Sequence, residues 1–292
     1  MKEALLYKKS GDGKVQCNAC NHKCIILEGK RGICGVRENQ NGKLYSLVYG
    51  KIIAEHIDPI EKKPLYHFLQ GTFSLSIATI GCNFKCLHCQ NADISQVPTA
   101  VGIPTGVGTN KTPEQIVQDA MDNNCPSISY TYTEPTVFVE FALDCMKLAH
   151  EKGLKNIWVS NGYMTKETLD LISPYLDAIN VDLKGFSEDF YKNICGAKLR
   201  PVLDNLIDIK RRGIHLEITT LIIPGKNDSE KELAEIAKFI KNELSDDTPW
   251  HISRFFPQYK LLDVSLTPVE KIYQAVEIGK RVGLRHVYPG NI

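Results

Sequence analysis

The sequence predicts an α/β chain in two parts, a small cysteine-rich lobe over residues 1–70 and a partial (βα)6 TIM-like barrel over residues 71–292. Three observations predict it. From Phe73 onward, short β-branched runs alternate with amphipathic, capped stretches, which is the pattern of βαβ units and a parallel sheet. No Gly-rich dinucleotide fingerprint opens any of these units, which favours a barrel over an open nucleotide-binding sheet. Before residue 70, cysteines at 17, 20, 24 and 34 stand among glycines at 29, 32, 35 and 42 without a helical period, as in a metal-stapled lobe.

The strands read from the β-branched runs are 73–80, 127–133, 156–161, 178–183, 215–223 and 250–256, with 284–288 as a candidate seventh. Helix starts between them carry an S/T-x-x-E/Q pattern, in which the first side chain caps the helix and the fourth reaches back. It occurs at Thr112 to Gln115, Ser229 to Glu232 and Thr267 to Glu270, the first and last with proline at the next position. Gly153, Gly213 and Gly283 each stand just before a strand, where a helix end accepts a left-handed residue. In barrels of this kind the chemistry sits at the carboxyl ends of the strands, so each candidate residue should fall at such an end.

Composition narrows the function classes. Lys plus Arg number 35 against 34 Asp plus Glu, so no global field recruits nucleic acid or an anionic membrane. The start has only a four-residue apolar run, and no stretch approaches the ~18 apolar residues of a membrane helix, so a cytoplasmic protein is expected. Ten cysteines are then the anomaly, because thiolates in a reducing compartment gather for metals or catalysis. Seven fall in two tight clusters, and Cys125, Cys145 and Cys195 are scattered.

The segment GCNFKCLHCQN, residues 81–91, spaces Cys82, Cys86 and Cys89 as C-x3-C-x2-C directly after the first strand. Three cysteines can ligate three irons of a [4Fe–4S] cube and leave the fourth open. The lesser alternative is three of four zinc ligands, with Cys125, Cys195 or His88 as the fourth, although closed zinc sites usually present two paired knuckles. The earlier quartet, Cys17, Cys20, Cys24 and Cys34, has its own spacing, C-x2-C-x3-C-x9-C, and can close a structural zinc site or an auxiliary iron–sulfur cluster. His22 is a spare ligand candidate or an exposed side chain.

The three-cysteine motif on the first loop of a barrel resembles the radical S-adenosylmethionine (SAM) superfamily. The segments IEKKPLYHF, YTYTEPTVF, SNGY, DLKGF, CGAKLRPVLDNL, TTLIIPGKND, SRFFPQYKL and RHVYPGNI together resemble the radical SAM enzyme of the AmmeMemoRadiSam system, which is similar in turn to the activating enzymes of glycyl-radical proteins such as pyruvate formate-lyase. The resemblance runs from about Cys17 to Ile292. It implies a [4Fe–4S] cluster whose open iron is chelated by SAM, reductive cleavage to methionine and a 5′-deoxyadenosyl radical, and hydrogen abstraction from a substrate, here expected to be a protein or peptide. It also implies an electron donor such as ferredoxin or flavodoxin, with AMMECR1-type and Memo-type proteins as functional associates. A glycyl-radical activator and, from another class, a non-catalytic iron–sulfur electron carrier or metal-binding scaffold stand as alternatives.

The resemblance assigns further residues. Glu134 ends the second strand and suits the ammonium of SAM, or else complements the dipole of the helix after it. Ser160 and Asn161 end the third strand beside SAM's methionine or ribose portion, unless Asn161-Gly162 is only a turn. Val159 stands where relatives often carry an Asp, which puts in doubt any cation that depends on it. Asp182 and Lys184, two apart at the end of the fourth strand, both point into the barrel mouth, as catalytic or SAM-binding groups or as a structural ion pair. Arg254 follows the parity of Ile252 and Phe256 and would reach substrate or a rim salt bridge. His88 stands where relatives put an aromatic whose backbone meets SAM's adenine, or it only covers the cluster. Cys195 is a hydrogen donor, a substrate-binding thiol or a buried structural cysteine.

Overall fold

The computed structural model describes residues 1–97, 102–104 and 106–292. In the lobe, strands β1 (Lys2–Glu3), β2 (Tyr7–Lys9), β3 (Val15–Cys17), β4 (Ile25–Ile26), β5 (Arg37–Gln40) and β6 (Lys43–Ser46) form two antiparallel sheets, ordered β1-β6-β5 and β2-β3-β4. These strands are too short to bury much surface. Their small core, with Val15, Ile26 and Leu44 fully enclosed, is joined by Cys17 and Cys24.

The larger part is an eight-stranded sheet. Its strands are β8 (Ala54–Pro59), β9 (Phe73–Ala78), β11 (Ser127–Tyr130), β12 (Lys155–Ser160), β13 (Ala178–Asp182), β14 (His215–Ile222), β15 (Trp250–Arg254) and β16 (Val287–Gly290). Two short strands, β7 (Lys51–Ile52) and β10 (Thr109–Asn110), pair separately. From β9 to β16 the seven strands are parallel, and β8 adds antiparallel to β9. The sheet order puts β8 and β16 at opposite ends, so the barrel is partial. Six βα units and a closing strand therefore make the (βα)6 architecture, and the candidate seventh strand is present at 287–290. The strand β8 lies before residue 70, in the span the sequence reading gives to the lobe, yet it belongs to the barrel sheet.

The helices include α1 (Ala92–Ser95), α2 (Pro113–Asp122), α3 (Val139–Glu151), α4 (Lys166–Ile172), α5 (Glu188–Phe190), α6 (Leu199–Arg211), α7 (Glu230–Phe239) and α8 (Val269–Val282). Among the described residues, none is long and apolar enough to cross a membrane. Thr112 forms a full capping box with Gln115, and Ser229 accepts the N–H of Glu232. Thr267 does not cap α8. Its hydroxyl donates to Ile222 O at 2.6 Å and accepts from Phe255 N at 3.3 Å, tying the ends of β14 and β15 together. A local cap pattern was outcompeted there by two unsatisfied backbone groups at the rim.

The lobe is fastened to the barrel by charge and by close packing. Arg37, on β5, makes two hydrogen bonds of 3.0 and 2.6 Å to Glu140 at the start of α3, both side chains being buried. Gly81, with φ +108°, opens the cysteine loop, and a Cβ there would stand 2.6 Å from Val36 of the lobe. Only glycine fits both constraints.

Candidate active site

A cavity of about 490 Å³ opens at the carboxyl ends of the parallel strands. Every one of the seven contributes, from Cys82 after β9 to Asn291 after β16. Cys82, Cys86, His88, Cys89, Glu134, Ser160, Asn161, Asp182 and Lys184 all border it, so the structure brings together the candidates drawn from four separate loops.

The cysteine loop is irregular and held by backbone hydrogen bonds to its neighbours. Gly81 N donates to Ile94 O, Lys85 N to Cys195 O and Leu87 N to Ile194 O, and Lys260 N donates to Leu87 O. Two of the loop thiols have a polar contact. Phe84 N donates to Cys82 Sγ at 3.4 Å, and Cys89 Sγ meets Ser95 Oγ at 3.0 Å. The neighbouring Cys195 thiol and burial push the Cys86 thiol pKa well up, and burial raises those of Cys82 and Cys89. Thiols so placed ionise when a metal takes the proton's place. Among the described residues, no three thiol, imidazole or carboxylate side chains converge as a mononuclear metal site requires. In a four-iron cluster each thiolate takes its own iron, so thiols spread around one cavity suit that chemistry.

On the next two strands a buried carboxylate organises the wall. Glu134 accepts from Thr136 N (3.0 Å), Thr136 Oγ1 (2.5 Å), Ser160 Oγ (2.9 Å) and Asn161 N (2.9 Å). Burial raises its pKa, and these hydrogen bonds oppose the rise. Glu134 also caps the 3₁₀ turn Pro135–Phe138, so the helix-terminus role and the wall role coincide. Asn161 completes the link to the cysteine loop, donating to Asn83 Oδ1 at 2.7 Å while its own Oδ1 accepts from Tyr163 N at 3.0 Å. Gly162 serves packing rather than close approach to a ligand: at φ +70° a Cβ would stand 2.8 Å from Val181.

Across the cavity Lys184 Nζ donates to Asp182 Oδ2 at 2.9 Å. Burial opposes the charge on Lys184, but Asp182 and the nearby thiols of Cys86 and Cys195 outweigh it and hold its pKa above the ordinary value. His88 is enclosed, with its pKa pushed down to about 3 by burial and by Lys184, so its ring is neutral. Its Nδ1 is buried with no hydrogen-bond partner. An orphaned ring nitrogen beside three thiols is what a bound polar group would satisfy.

Residues that the sequence reading did not single out close the cavity from below. Lys63, in the segment IEKKPLYHF, is buried, pairs with Asp58 Oδ2 at 2.6 Å and lies 4.6 Å from the centre of the Tyr132 ring. Tyr132 has φ +62°, uncommon for a large side chain. It is held there by its hydroxyl on Asp58 and by Asn91 Nδ2 on its carbonyl oxygen at 2.6 Å. Pro64 also lines the cavity, its carbonyl fixed by Asn180 Nδ2 at 2.8 Å. Below it, Glu217 accepts from Tyr66 N, His67 N, His215 Nε2 and His251 Nε2 at 3.0, 2.8, 2.9 and 2.7 Å.

Two candidates lie elsewhere. Arg254 is outside the cavity lining: its Nε donates to Thr267 O at 2.6 Å and its guanidinium stacks on Phe256. Ser253, of opposite parity, faces the cavity. Cys17, Cys20, Cys24 and Cys34 border a separate hollow of about 20 Å³ in the lobe, with His22 and Arg37. Burial raises all four thiol pKa values. His22 is not a free surface side chain, since its Nε2 contacts Asn83 O at 2.9 Å.

The family model for the radical SAM superfamily matches residues 76–240. An uncharacterized protein of Methanocaldococcus jannaschii is 48% identical over 293 residues, covering 100% of this chain and 86% of that protein. The pyruvate formate-lyase-activating enzyme of Clostridium pasteurianum is 25% identical over 207 residues, covering 65% of this chain and 83% of the enzyme. Among solved structures, Streptococcus suis SuiB bound to precursor peptide SuiA superposes with a TM-score of 0.58 at 15% identity, covering 76% of this chain and 49% of SuiB, a likeness of fold. With the three-cysteine loop at the head of a partial barrel and a family match over more than half its length, the chain belongs to the radical SAM superfamily and is an enzyme that uses a [4Fe–4S] cluster and SAM.

Proposed function

We propose that this enzyme generates a 5′-deoxyadenosyl radical in the cavity and uses it to take a hydrogen atom from a protein or peptide presented at the cavity mouth. The observation that carries this is the size and position of the cavity. At about 490 Å³ it has room for one ligand of SAM's size, and the barrel below it is filled by the Pro64 to His67 segment. A substrate therefore meets the radical from the open rim, as a loop can. The relative from Clostridium pasteurianum, named for activating pyruvate formate-lyase, supports a protein substrate.

The residues divide the work. Cys82, Cys86 and Cys89 would hold three irons, and the bound cluster would supply the electron that splits the sulfonium of SAM. Glu134 would hold Ser160 and the Asn161 backbone in place and offer its charge to the ammonium of SAM. Lys184 would pair with SAM's carboxylate, kept cationic and aimed by Asp182. Neutral His88 would present its free ring nitrogen to the cofactor while covering the cluster. Arg254 would act at the rim by ordering the β15 end and Thr267.

In the lobe, we propose that the Cys17, Cys20, Cys24 and Cys34 quartet takes a single zinc ion, the thiols drawing together on it as it binds, since as they stand they do not converge on one point. The hollow between these thiols has room for about one water-sized sphere, too little for an eight-atom cluster. Residues 1–70 then act as a metal-stapled lobe, apart from β8. A ferredoxin or flavodoxin would deliver the electron, and AMMECR1-type and Memo-type proteins are the candidate associates that the family resemblance supports.

The test is anaerobic reconstitution followed by dithionite and SAM. We expect 5′-deoxyadenosine from the wild type and none from Cys86→Ala; equal yields from both would refute the enzyme reading. An electron-spin signal of a stable glycyl radical on a co-expressed partner would identify an activator. Metal analysis of the Cys82/Cys86/Cys89 triple Ala variant should return one zinc and no sulfide.

A further inference from the structure

Two buried nitrogens border the lobe's cysteine quartet without a partner. Arg37 spends both terminal nitrogens on Glu140, an end-on fork that leaves its Nε–H over, and that Nε is buried with no hydrogen bond. Asn83 stands between Cys82 and Cys86 in the cysteine loop, and its Nδ2 is likewise buried and unpartnered. The two side chains are 2% and 1% exposed, and both line the hollow that Cys17, Cys20, Cys24 and Cys34 border. A buried donor left unpaired is costly, so each calls for an acceptor.

The sulfurs of the quartet are the acceptors at hand. Ala19, Ile26, Ile33 and Val137 make the rest of the wall apolar, and its other polar side chains are engaged elsewhere, Thr136 Oγ1 on Glu134 and His22 Nε2 on Asn83 O. Neutral thiols accept weakly. On a divalent metal they become four thiolates around one ion, and burial penalises the excess negative charge unless N–H groups face it.

Asn83 gives this contact a second end. Its Oδ1 accepts from Asn161 Nδ2 at 2.7 Å, which turns the amide so that Nδ2 is the end left over. Asn161 N in turn donates to Glu134 at 2.9 Å. We infer that Arg37 Nε and Asn83 Nδ2 donate hydrogen bonds to the metal-bound sulfurs of the quartet, so that metal in the lobe fixes Asn83 and, through it, Asn161 on the cavity wall. Both donors are positioning residues. The inference rests on the quartet's taking a zinc ion. Linkage is reciprocal, so the cavity wall must also steady that ion.

The test measures metal on the quartet alone, in the full chain with Cys82, Cys86 and Cys89 all changed to Ala. Zinc affinity is read by competition with a chelator, and cobalt(II) serves as the spectroscopic probe. Asn83→Ala and Arg37→Lys should each weaken zinc about tenfold, the low end for groups that orient metal ligands. Arg37→Lys keeps a cation for Glu140 but has no Nε–H. In both variants the sulfur-to-cobalt charge-transfer band should move to longer wavelength, because a thiolate that loses a hydrogen bond releases charge more easily. A merely structural change would leave the band in place. Asn161→Ala, outside the hollow, should weaken zinc about threefold by freeing the Asn83 amide. If either of the first two variants does not fold, Asn83→Asp replaces it; it keeps the acceptor for Asn161, loses the donor and adds a charge, and should weaken zinc by more than about tenfold. Unchanged affinity in the donor variants, or a band that stays in place, would overturn the inference, and unchanged affinity in Asn161→Ala would overturn its link to the cavity wall. A quartet that binds no metal ion would refute the zinc reading itself, so the two fail on different signals.

Discussion

The two ends of the barrel interior are built from the same strands to opposite specifications. At the amino end, Glu217 fills its acceptor positions with two backbone amides and two imidazoles, and the floor that they carry is a closed set of hydrogen bonds. Two residues farther along β14, Thr219 already faces the cavity, where the Lys184–Asp182 pair borders open space and His88 keeps an unpartnered nitrogen. A satisfied buried network contributes rigidity, whereas an unsatisfied one is tolerated where a ligand completes it. The comparison predicts that changes at the floor act on stability and changes at the rim act on turnover.

The sharpest way to break that division is Glu217→Gln. The amide cannot accept all four hydrogen bonds, so urea unfolding should show a loss of about 3 kcal/mol. The 5′-deoxyadenosine yield of the protein still folded at low temperature should hold. Acid should act on the same group. Burial works against the Glu217 charge, but the four donors win and hold its pKa down at about 2, below the ordinary carboxylate value. A depressed folded pKa contributes stability that is present above the unfolded value, near 4.5, and is lost as pH falls toward 2. Urea midpoints of wild type should therefore drop between about pH 5 and pH 2, and Glu217→Gln should lack that component.

The rim should answer in the opposite sense. Lys184→Met replaces a partly buried ion by an apolar chain of similar length and leaves Asp182 unpaired, but the Asp182 side chain is 36% exposed and water can solvate it, so the cost in stability is small. It removes the cation facing Asp182 and the thiols, so SAM cleavage should fall on the order of 100-fold, ~2.7 kcal/mol, with the urea midpoint nearly unchanged. A large midpoint drop would mean that the ion pair is structural. The smallest effect should come from Ser160→Ala, which leaves Glu134 with its other donors. About a tenfold rise in KM for SAM is expected, ~1.4 kcal/mol, without a matching fall in kcat.

Much of the rim was legible because it is local. A strand, a stop and a charged residue at the carboxyl end mark Glu134, Asn161 and Asp182 within short windows, and the cysteine spacing lies within eight residues. The floor was not, because Glu217 meets amides 150 residues earlier in the chain, and no short window joins them. Arg254 failed for a different reason. Strands of a helix-covered parallel sheet are apolar on both faces, so the parity of Ile252 and Phe256 does not tell interior from exterior. The Thr267 cap failed because its backbone partners, Ile222 and Phe255, come from two other segments.

That every parallel strand contributes to one cavity has a bearing on how the protein is made. Cys82, Cys86 and Cys89, the proposed iron ligands, leave the ribosome roughly 200 residues before Asn291, which completes the cavity wall. At ordinary synthesis rates of about 5–20 residues per second, those thiols spend ~10–40 s on an unfinished scaffold. The cavity is thus complete only late in synthesis, and thiols on a nascent chain need shelter from stray metals and oxidants until the last strand has paired.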